Sequence, residues 1–461
     1  MRILLWHGYL LTGSGSNVYT ANVARAWRAA GHDVLLLCQE RDEAALGWVD
    51  EEGDLSPDNS SFSLNPTSAP RAAGRCRLAR PAIGEILPLY VFDEYPGFTA
   101  KLYVELTDGE LTDYTQRNVA ALVTALEEHR PDAVITGHEV MGPYIAKLAC
   151  EQTGNRYIAK LHGSALEYAV KRQERYLHFA RAGLTAAGVV VGGSNYMVRM
   201  ASSVVPGWED RAAVVNPGCD VALFRPPDRA SNGSPVAGFV GKLIAAKGVH
   251  NFVAALGLTR SPGLTAVMVG YGDAEADLRA LHGAIVAGDR RETQRIARGM
   301  DGAGRTSLVE FLARQASAYW ARAAAVPVAW PGRLDHGPLA EVLPSLDVLV
   351  APSVVPEAFG MVAAEAAACG VLPIVPRHSG IGEAGAAVES AIGRPGLLTF
   401  DPAHPIGGIA KAIDRVLALA PDERRRLGHA AAELARLRWS WDRVAGRLLE
   451  LATQAARRTR P

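Results

Sequence analysis

Val348-Leu349-Val350 is a short apolar run that ends at Ala351-Pro352-Ser353, passes Pro356-Glu357-Ala358, and turns at Phe359-Gly360 into an alanine-rich helix. A strand that hands over to a helix through so short a loop is a βα turn, the building unit of an α/β fold. Two glutamates bracket the turn, Glu357 ahead of the helix and Glu365 inside it, with seven residues between them. Both can face one ligand held at the helix start. The N–H groups of Phe359, Gly360 and Met361 would point to the same place, with the positive end of the helix dipole behind them. Such a site suits an anion that also carries hydroxyl groups: amides take the phosphate oxygens and carboxylates take the hydroxyls. The plainer alternative is a buried turn whose glutamates cap the helix and face water. Other segments fit the same ligand and weigh against it.

The chain begins with a second such unit. Residues 2–6 read as a buried strand, His7-Gly8-Tyr9 opens a loop, and Thr12-Gly13-Ser14-Gly15-Ser16-Asn17 closes it. Tyr19, Val23 and Trp27 recur at helical spacing, Gly31 ends that helix, and Asp33 to Leu37 is the next strand. Val18 stands where a dinucleotide fingerprint would need its third glycine, so G-x-G-x-x-G fails. The loop can still lie close to a phosphate or sugar, because Gly13 and Gly15 have no Cβ.

Residues 40–117 are the least regular. Arg71, Arg75, Arg77 and Arg80 form a basic cluster within them, read as a solvated loop or, functionally, as a site for an acidic acceptor or lipid headgroup. Phe92-Asp93-Glu94-Tyr95-Pro96 puts aromatics beside carboxylates. Alternation resumes with a helix over about 114–129 and strands at 133–135, 157–161 and 189–191. His138-Glu139 and His162-Gly163-Ser164 follow the first two of these strands, at the ends where ligands bind in open α/β sheets. A lone histidine at a strand end is usually structural, but here several candidates share one edge.

Asn216-Pro217-Gly218-Cys219-Asp220 and the loop at 231–234 read as a connection, after which a second alternation starts at Val236. Gly241-Lys242-Leu243 to Lys247-Gly248 follows its first strand. Two lysines beside glycines at a helix start suit a diphosphate, and equally they read as surface lysines. Ala266 to Val269 ends at Gly270-Tyr271-Gly272-Asp273. Residues 274–325 read as two helices with a break near Gly302-Ala303-Gly304. Pro331-Gly332-Arg333-Leu334 opens a loop, and Arg377 to Glu383 is a glycine-rich turn after the strand at 372–375. Trp439-Ser440-Trp441 interrupts a polar helix and starts a last amphipathic one, with a frayed end at 457–461.

Length allows about two to four domains. The 48 basic and 48 acidic residues cancel, which leaves no global field to attract nucleic acid. Five scattered cysteines with no C-x-x-C pair argue against zinc and against a disulfide framework, and a reducing compartment fits them. Met1-Arg2 leads straight into the first strand, and no apolar run reaches the ~20 residues that span a bilayer. A cytoplasmic protein is expected, with weak peripheral membrane contact open.

Taken together these segments resemble the retaining GT-B glycosyltransferases of family 4. The most specific element is the E-x7-E motif of Glu357 and Glu365. Asn216-Pro217-Gly218-Cys219-Asp220 is similar to the family's interdomain Pro-Pro-Gly-Val-Asp, and Gly241-Lys242-Leu243…Lys247-Gly248 to its Gly-Arg-Leu…Lys-Gly. The likeness is poor over 40–117 and 275–325. It implies two Rossmann-like α/β/α domains facing across a cleft: 1–205, with a returning helix at about 440–461, holding the acceptor, and 206–439 holding the donor. It implies further that His162, Lys242 and Glu357 are catalytic. Lys242 and Lys247 would hold the diphosphate with Gly241 beside them, work that other families give to a metal, so neither metal nor cofactor is expected. Lys242 replaces the usual arginine and gives up bidentate binding. Glu357 would bind the sugar hydroxyls and Glu365 the ribose, while Phe359, Gly360, Met361 and Val362 contact sugar and phosphate. Arg333 and Leu334 would border the base, and Gly13, Gly15 and Ser16 would close on the donor. Asn17, His138, Glu139 and Ser164 are the acceptor candidates.

The expected activity is transfer of a sugar from a nucleoside-diphosphate donor, UDP-linked, to a hydroxyl of a small-molecule acceptor, by a monomer or homodimer that binds no nucleic acid. Two other readings stand beside it: a peripheral membrane enzyme acting on lipid, and a nucleotide-sugar binding protein without catalysis.

Overall fold

The structure, a computed structural model, describes residues 1–91, 95, 97–227, 233–300, 302 and 304–457. The aromatic-acidic segment at 92–96 (apart from Tyr95), the loop at 231–232, Ala303 and the frayed end from 458 lie outside them. The chain forms two compact units, Met1–Pro217 with Trp441–Pro461, and Gly218–Ser440.

The first unit is built on a nine-stranded sheet. Its strands are β1 (Arg2–Trp6), β2 (Asp33–Leu37), β3 (Glu51–Asp54), β4 (Asn65–Pro66) and β5 (Arg75–Arg80). After a separate two-stranded pair, β6 (Ile86–Leu89) and β7 (Thr99–Leu102), come β8 (Ala133–Gly137), β9 (Ile158–Lys160), β10 (Val189–Gly192) and β11 (Ala212–Val214). The order is β11-β10-β9-β8-β1-β2-β5-β3-β4. All neighbours are parallel except β3 and β4. Ile3, Leu4, Val34, Leu35 and Leu36 are fully buried, as strands covered on both faces require. The helix Gly15–Ala29 buries Tyr19, Val23 and Trp27, and the closing helix Trp441–Arg457 buries Val444, Leu448 and Leu451.

The second unit is a six-stranded parallel sheet of β12 (Val236–Val240), β13 (Thr265–Val269), β14 (Val328–Gly332), β15 (Val348–Val350), β16 (Leu372–Pro376) and β17 (Thr399–Phe400). The order is β14-β13-β12-β15-β16-β17. The strand order reverses beside β12, the geometry that places ligands at the carboxyl ends of such sheets.

Several expectations need correction. Most of the arginine cluster is not a loop: Arg75, Arg77 and Arg80 belong to β5, inside the sheet, while Arg71 stays in the exposed irregular segment before it. Arg75 pairs with Asp33 at 3.0 Å and Glu51 at 3.4 Å, Arg77 with Asp33 at 3.4 Å, and Arg80 with Glu52. The charges are satisfied along the strand, so they form no open cationic patch. The first unit runs to Pro217 rather than 205, because Ala212–Val214 pairs with β10. Residues 274–325 form four helices, Glu275–Val286, Arg290–Gly299, Arg305–Ala313 and Ser317–Ala324. Pro331 and Gly332 end an edge strand, where a missing N–H is tolerated. Ser379 already starts the helix Ser379–Ile392, so the turn after β16 is shorter than the glycines suggest. Gly15, Ser16 and Asn17 likewise form the first turn of a helix, capped by Ser14.

Arg28 and Asp50 tie the first helix to β5. The guanidinium donates twice to the carboxylate, each at 2.7 Å, and the Cys76 amide donates to it at 2.7 Å. Burial opposes ionisation of Asp50, but the Arg28 and Cys76 hydrogen bonds win and lower its pKa. Its stabilising effect is therefore complete above the unfolded value near 3.9 and fades as pH drops through the lower folded value. Asp50→Asn should lose about 2–4 kcal/mol at pH 7 in urea unfolding, with the gap to wild type closing below pH ~3.

Candidate active site

Three loops at the carboxyl ends of β12, β15 and β16 are held together by backbone contacts. The Val354 amide donates to the Ala246 carbonyl at 3.0 Å, and the Gly380 amide to that of Glu357 at 2.8 Å. Gly248 has φ +68°, and a Cβ there would stand 2.1 Å from the Pro352 carbonyl oxygen. Only glycine lets the lysine loop lie this close to the glutamate loop.

That contact brings Lys247 to Glu357. Lys247 Nζ donates to Glu357 Oε1 at 2.9 Å, with side chains 33% and 15% exposed. Ser353 Oγ hydrogen-bonds the same oxygen. Behind the carboxylate, the Glu357 amide donates to Ser379 Oγ at 3.0 Å. His378 completes the brace: Nε2 donates to the Ser353 carbonyl at 3.0 Å, and Nδ1 lies 3.0 Å from Ser379 Oγ. Sequence reasoning missed Ser353, His378 and Ser379. Apart from the Ser353 hydroxyl on the Glu357 carboxylate, their partners are backbone groups and a hydroxyl, and nothing in their spacing announces that.

Gly360 caps the helix Met361–Ala368 in the left-handed region, at φ +92°, with no side-chain cap. No side chain caps its first amides, which lie at the positive end of the helix. Phe359 is buried with its ring 5.6 Å from that of Trp439, and Met361 and Val362 are half-buried against the core. Glu365, one turn into the helix, is 7% exposed, and burial pushes its carboxyl up to about 7. Gly241 and Lys242 lead the lysine loop, and Lys242 is exposed, without an ion pair among the described residues. Arg333 is exposed beyond β14 and Leu334 is half-buried there.

The first unit gathers its candidates differently. His162 is half-buried, 5.3 Å from the Tyr19 ring and 4.8 Å from that of His138. Burial, then the neighbouring His138 and Lys160, holds its pKa well below the ordinary histidine value, so it is neutral. Ser164 is half-buried, and Gly13 and Gly15 are open. The expectation that Asn17, His138 and Glu139 bind an acceptor needs revision, because all three side chains are buried. Asn17 donates to the Thr12 carbonyl at 2.6 Å and accepts from His7 Nε2 at 2.9 Å, shaping the loop rather than facing out of it. Glu139 accepts from the Gly163 amide at 2.7 Å and so positions the loop that carries His162. Burial raises Glu139 to about 7 and lowers Lys160 to about 7.

The chain matches two family descriptions in tandem: Glycosyl transferase 4-like domain over residues 14–218, and Glycosyl transferases group 1 over residues 314–434. It belongs to the family 4 glycosyltransferases. Among curated relatives, D-inositol 3-phosphate glycosyltransferase of Mycobacterium tuberculosis is 30% identical over 247 residues, covering 52% of this chain and 43% of the relative. The chain thus spans less than half the length of the curated relatives it matches. Among solved structures, sucrose-phosphate synthase of Thermosynechococcus elongatus gives a TM-score of 0.61 at 20% identity, covering 98% of both chains. Anabaena HepE in complex with UDP gives 0.61 at 16% identity, covering 98% of this chain and 99% of that one. At these identities the likeness shows the fold, which is GT-B. No helix among the described residues is long and apolar enough to cross a membrane.

The raised Glu365 pKa has a direct consequence. Between the unfolded value near 4.3 and about 7, the folded chain keeps a proton that the unfolded chain releases, so this group lowers stability as pH rises. Glu365→Gln should exceed wild type by about 1–3 kcal/mol at pH 8, with the difference shrinking toward pH 5, as read by urea unfolding at both pH values.

Proposed function

We propose that this chain is a retaining glycosyltransferase that moves a sugar from a UDP-linked donor to a hydroxyl of a small-molecule acceptor. The observation that carries the reading is the Lys247–Glu357 pair beside the uncapped helix start at Gly360. It sets a cation against a carboxylate at the carboxyl edge of a parallel sheet, just ahead in the chain of a helix start that no side chain caps. The UDP complex of HepE, which has the same fold, and the activity named for the mycobacterial relative agree with it.

The reaction breaks the bond between the anomeric carbon and the terminal phosphate oxygen, leaving an oxocarbenium-like sugar and a growing negative charge on the diphosphate. Stabilising that charge is the main electrostatic task. Lys247, Lys242 and the helix amides supply it without needing a metal. Glu357 has Oε1 committed to Lys247 and Ser353, and Oε2 would accept from the sugar hydroxyls. Glu365, buried and ready to ionise near neutrality, accepts from the ribose. The acceptor hydroxyl attacks from the face the diphosphate leaves, and its proton passes to the departing phosphate oxygen, which retains configuration. Exclusion of water matters, since hydrolysis is the competing outcome.

The ion pairs of Arg75, Arg77 and Arg80 lend no support to a lipid-headgroup site, and a soluble polyhydroxyl acceptor is favoured. Incubation with UDP-glucose or UDP-N-acetylglucosamine and an acceptor panel should release UDP together with a glycosylated product. Glu357→Ala should lower kcat by about 10²–10³-fold while UDP still raises the melting temperature. Full activity in that variant, or UDP binding with no turnover across the panel, would overturn the assignment.

A further inference from the structure

Between β13 and β14 the chain makes four helices, in the stretch where the likeness to the family is poor. The second and third, Arg290–Gly299 and Arg305–Ala313, are seated in the core of their unit through Ile296, Ala297, Met300, Leu308 and Leu312. Gln294 Nε2 donates to the Val309 carbonyl at 3.1 Å and ties the pair together. Gly302 and Gly304 lie between these two helices, both in the left-handed region at φ +95° and +89°. What they face is the lysine turn. A Cβ on Gly302 would lie 2.5 Å from the Cβ of Ala245, and one on Gly304 would lie 2.8 Å from His250 Nε2 and 3.7 Å from Val354 Cγ1. Ala245 opens the short turn Ala245–Lys247, whose last residue carries the ammonium held by Glu357. His250 is buried in the helix that follows, and burial lowers its pKa to about 4, so it is uncharged near neutrality. Val354 is shared, because its Cγ1 would also stand 3.2 Å from a Cβ on Gly248.

Resting on the donor reading above, we propose that Gly302 and Gly304 are positioning residues for Lys247. They let the helix pair close on Ala245 and His250 without a side chain between, and so hold the ammonium where the donor's diphosphate meets it. A lysine is a point charge on a flexible stem, so its placement is only as firm as the backbone that carries it. That backbone is fixed from separate directions. At its entry the Leu243 amide donates to the Tyr271 carbonyl at 2.8 Å, and at its middle the Ala246 carbonyl accepts from the Val354 amide at 3.0 Å. The Gly302 backbone against the Ala245 methyl adds a contact from the helix pair. Attraction between charges falls with distance, so a turn displaced by an added methyl gives up part of its hold on the diphosphate.

The test is calorimetry on the full chain with inorganic pyrophosphate and UDP. Gly302→Ala should weaken both by the same factor, about 2- to 30-fold, the weight of a contact one step removed from the ligand. Adding Ala245→Gly to it removes the methyl that the new one meets and should recover most of the loss. Gly304→Ala, which meets the tip of the His250 ring, is a milder second probe and should move both affinities the same way. Gly288→Ala supplies the comparison. Gly288 also breaks the chain between two of the four helices, at φ +69°, but its Cβ would have nothing within 4 Å. That variant carries the backbone strain without the contact and should bind both ligands as wild type does. Unchanged affinity in Gly302→Ala and Gly304→Ala overturns the proposal. So does a loss confined to UDP, a loss that Ala245→Gly fails to recover, or the same loss in Gly288→Ala. If the wild-type chain binds neither ligand, the donor reading fails first and the positioning role with it.

Discussion

Lys247 and Glu357 are 110 residues apart in the chain and 2.9 Å apart in space, and the second unit is arranged to make that so. Neither residue can reach the other unless the loops after β12 and β15 lie flush. The close fit of Gly248 under the Pro352 carbonyl and the Val354–Ala246 hydrogen bond enforce this. Parallel pairing of β12 with β15 brings both loops to the same edge. The chemistry therefore depends on sheet topology first and on side chains second.

The two units use buried ionisable groups in contrasting ways. In the second, Glu365 sits in an apolar setting, and burial pushes its carboxyl up to about 7, so it keeps its proton further up the pH scale than an exposed glutamate does. In the first, Glu139 and Lys160 are buried together, and their work is local: one fixes the His162 loop through the Gly163 amide, and the other lies over the Tyr19 ring at 5.1 Å. A buried carboxylate is thus not evidence of a ligand contact by itself. What separates the two is whether the carboxylate is already employed by its own fold.

Much of this was legible in the residues. Strands buried on both faces read as unbroken apolar runs, which is why β1, β2, β12 and β15 declare themselves. The E-x7-E spacing and the glycine-flanked lysines mark the second unit's edge. β5 hid because Arg75 and Arg77 alternate with Cys76 and Leu78 and Arg80 ends the strand, and the carboxylates that neutralise the three lie on β2 and β3, far away in sequence. Position at a strand end could place His138, Glu139 and Asn17 near one another but not orient them. His138 takes φ +70° and turns its ring inward against His7 and Tyr90. The brace of Ser353, His378 and Ser379 works in part through the Ser353 carbonyl and the Glu357 amide, contacts that have no residue-type signature.

The brace behind Glu357 bears on discrimination among anions. At rest the ammonium of Lys247 is already neutralised by a carboxylate that Ser353 and the Glu357 amide contacts hold in place. A stray inorganic anion must pull that ammonium away while facing the carboxylate's repulsion, and it offers no hydroxyl in return. A molecule that brings both a phosphate and a neighbouring diol can satisfy cation and carboxylate together. Under the proposed donor reading, occupancy of the edge is thereby made conditional on two chemical groups arriving on the same carrier.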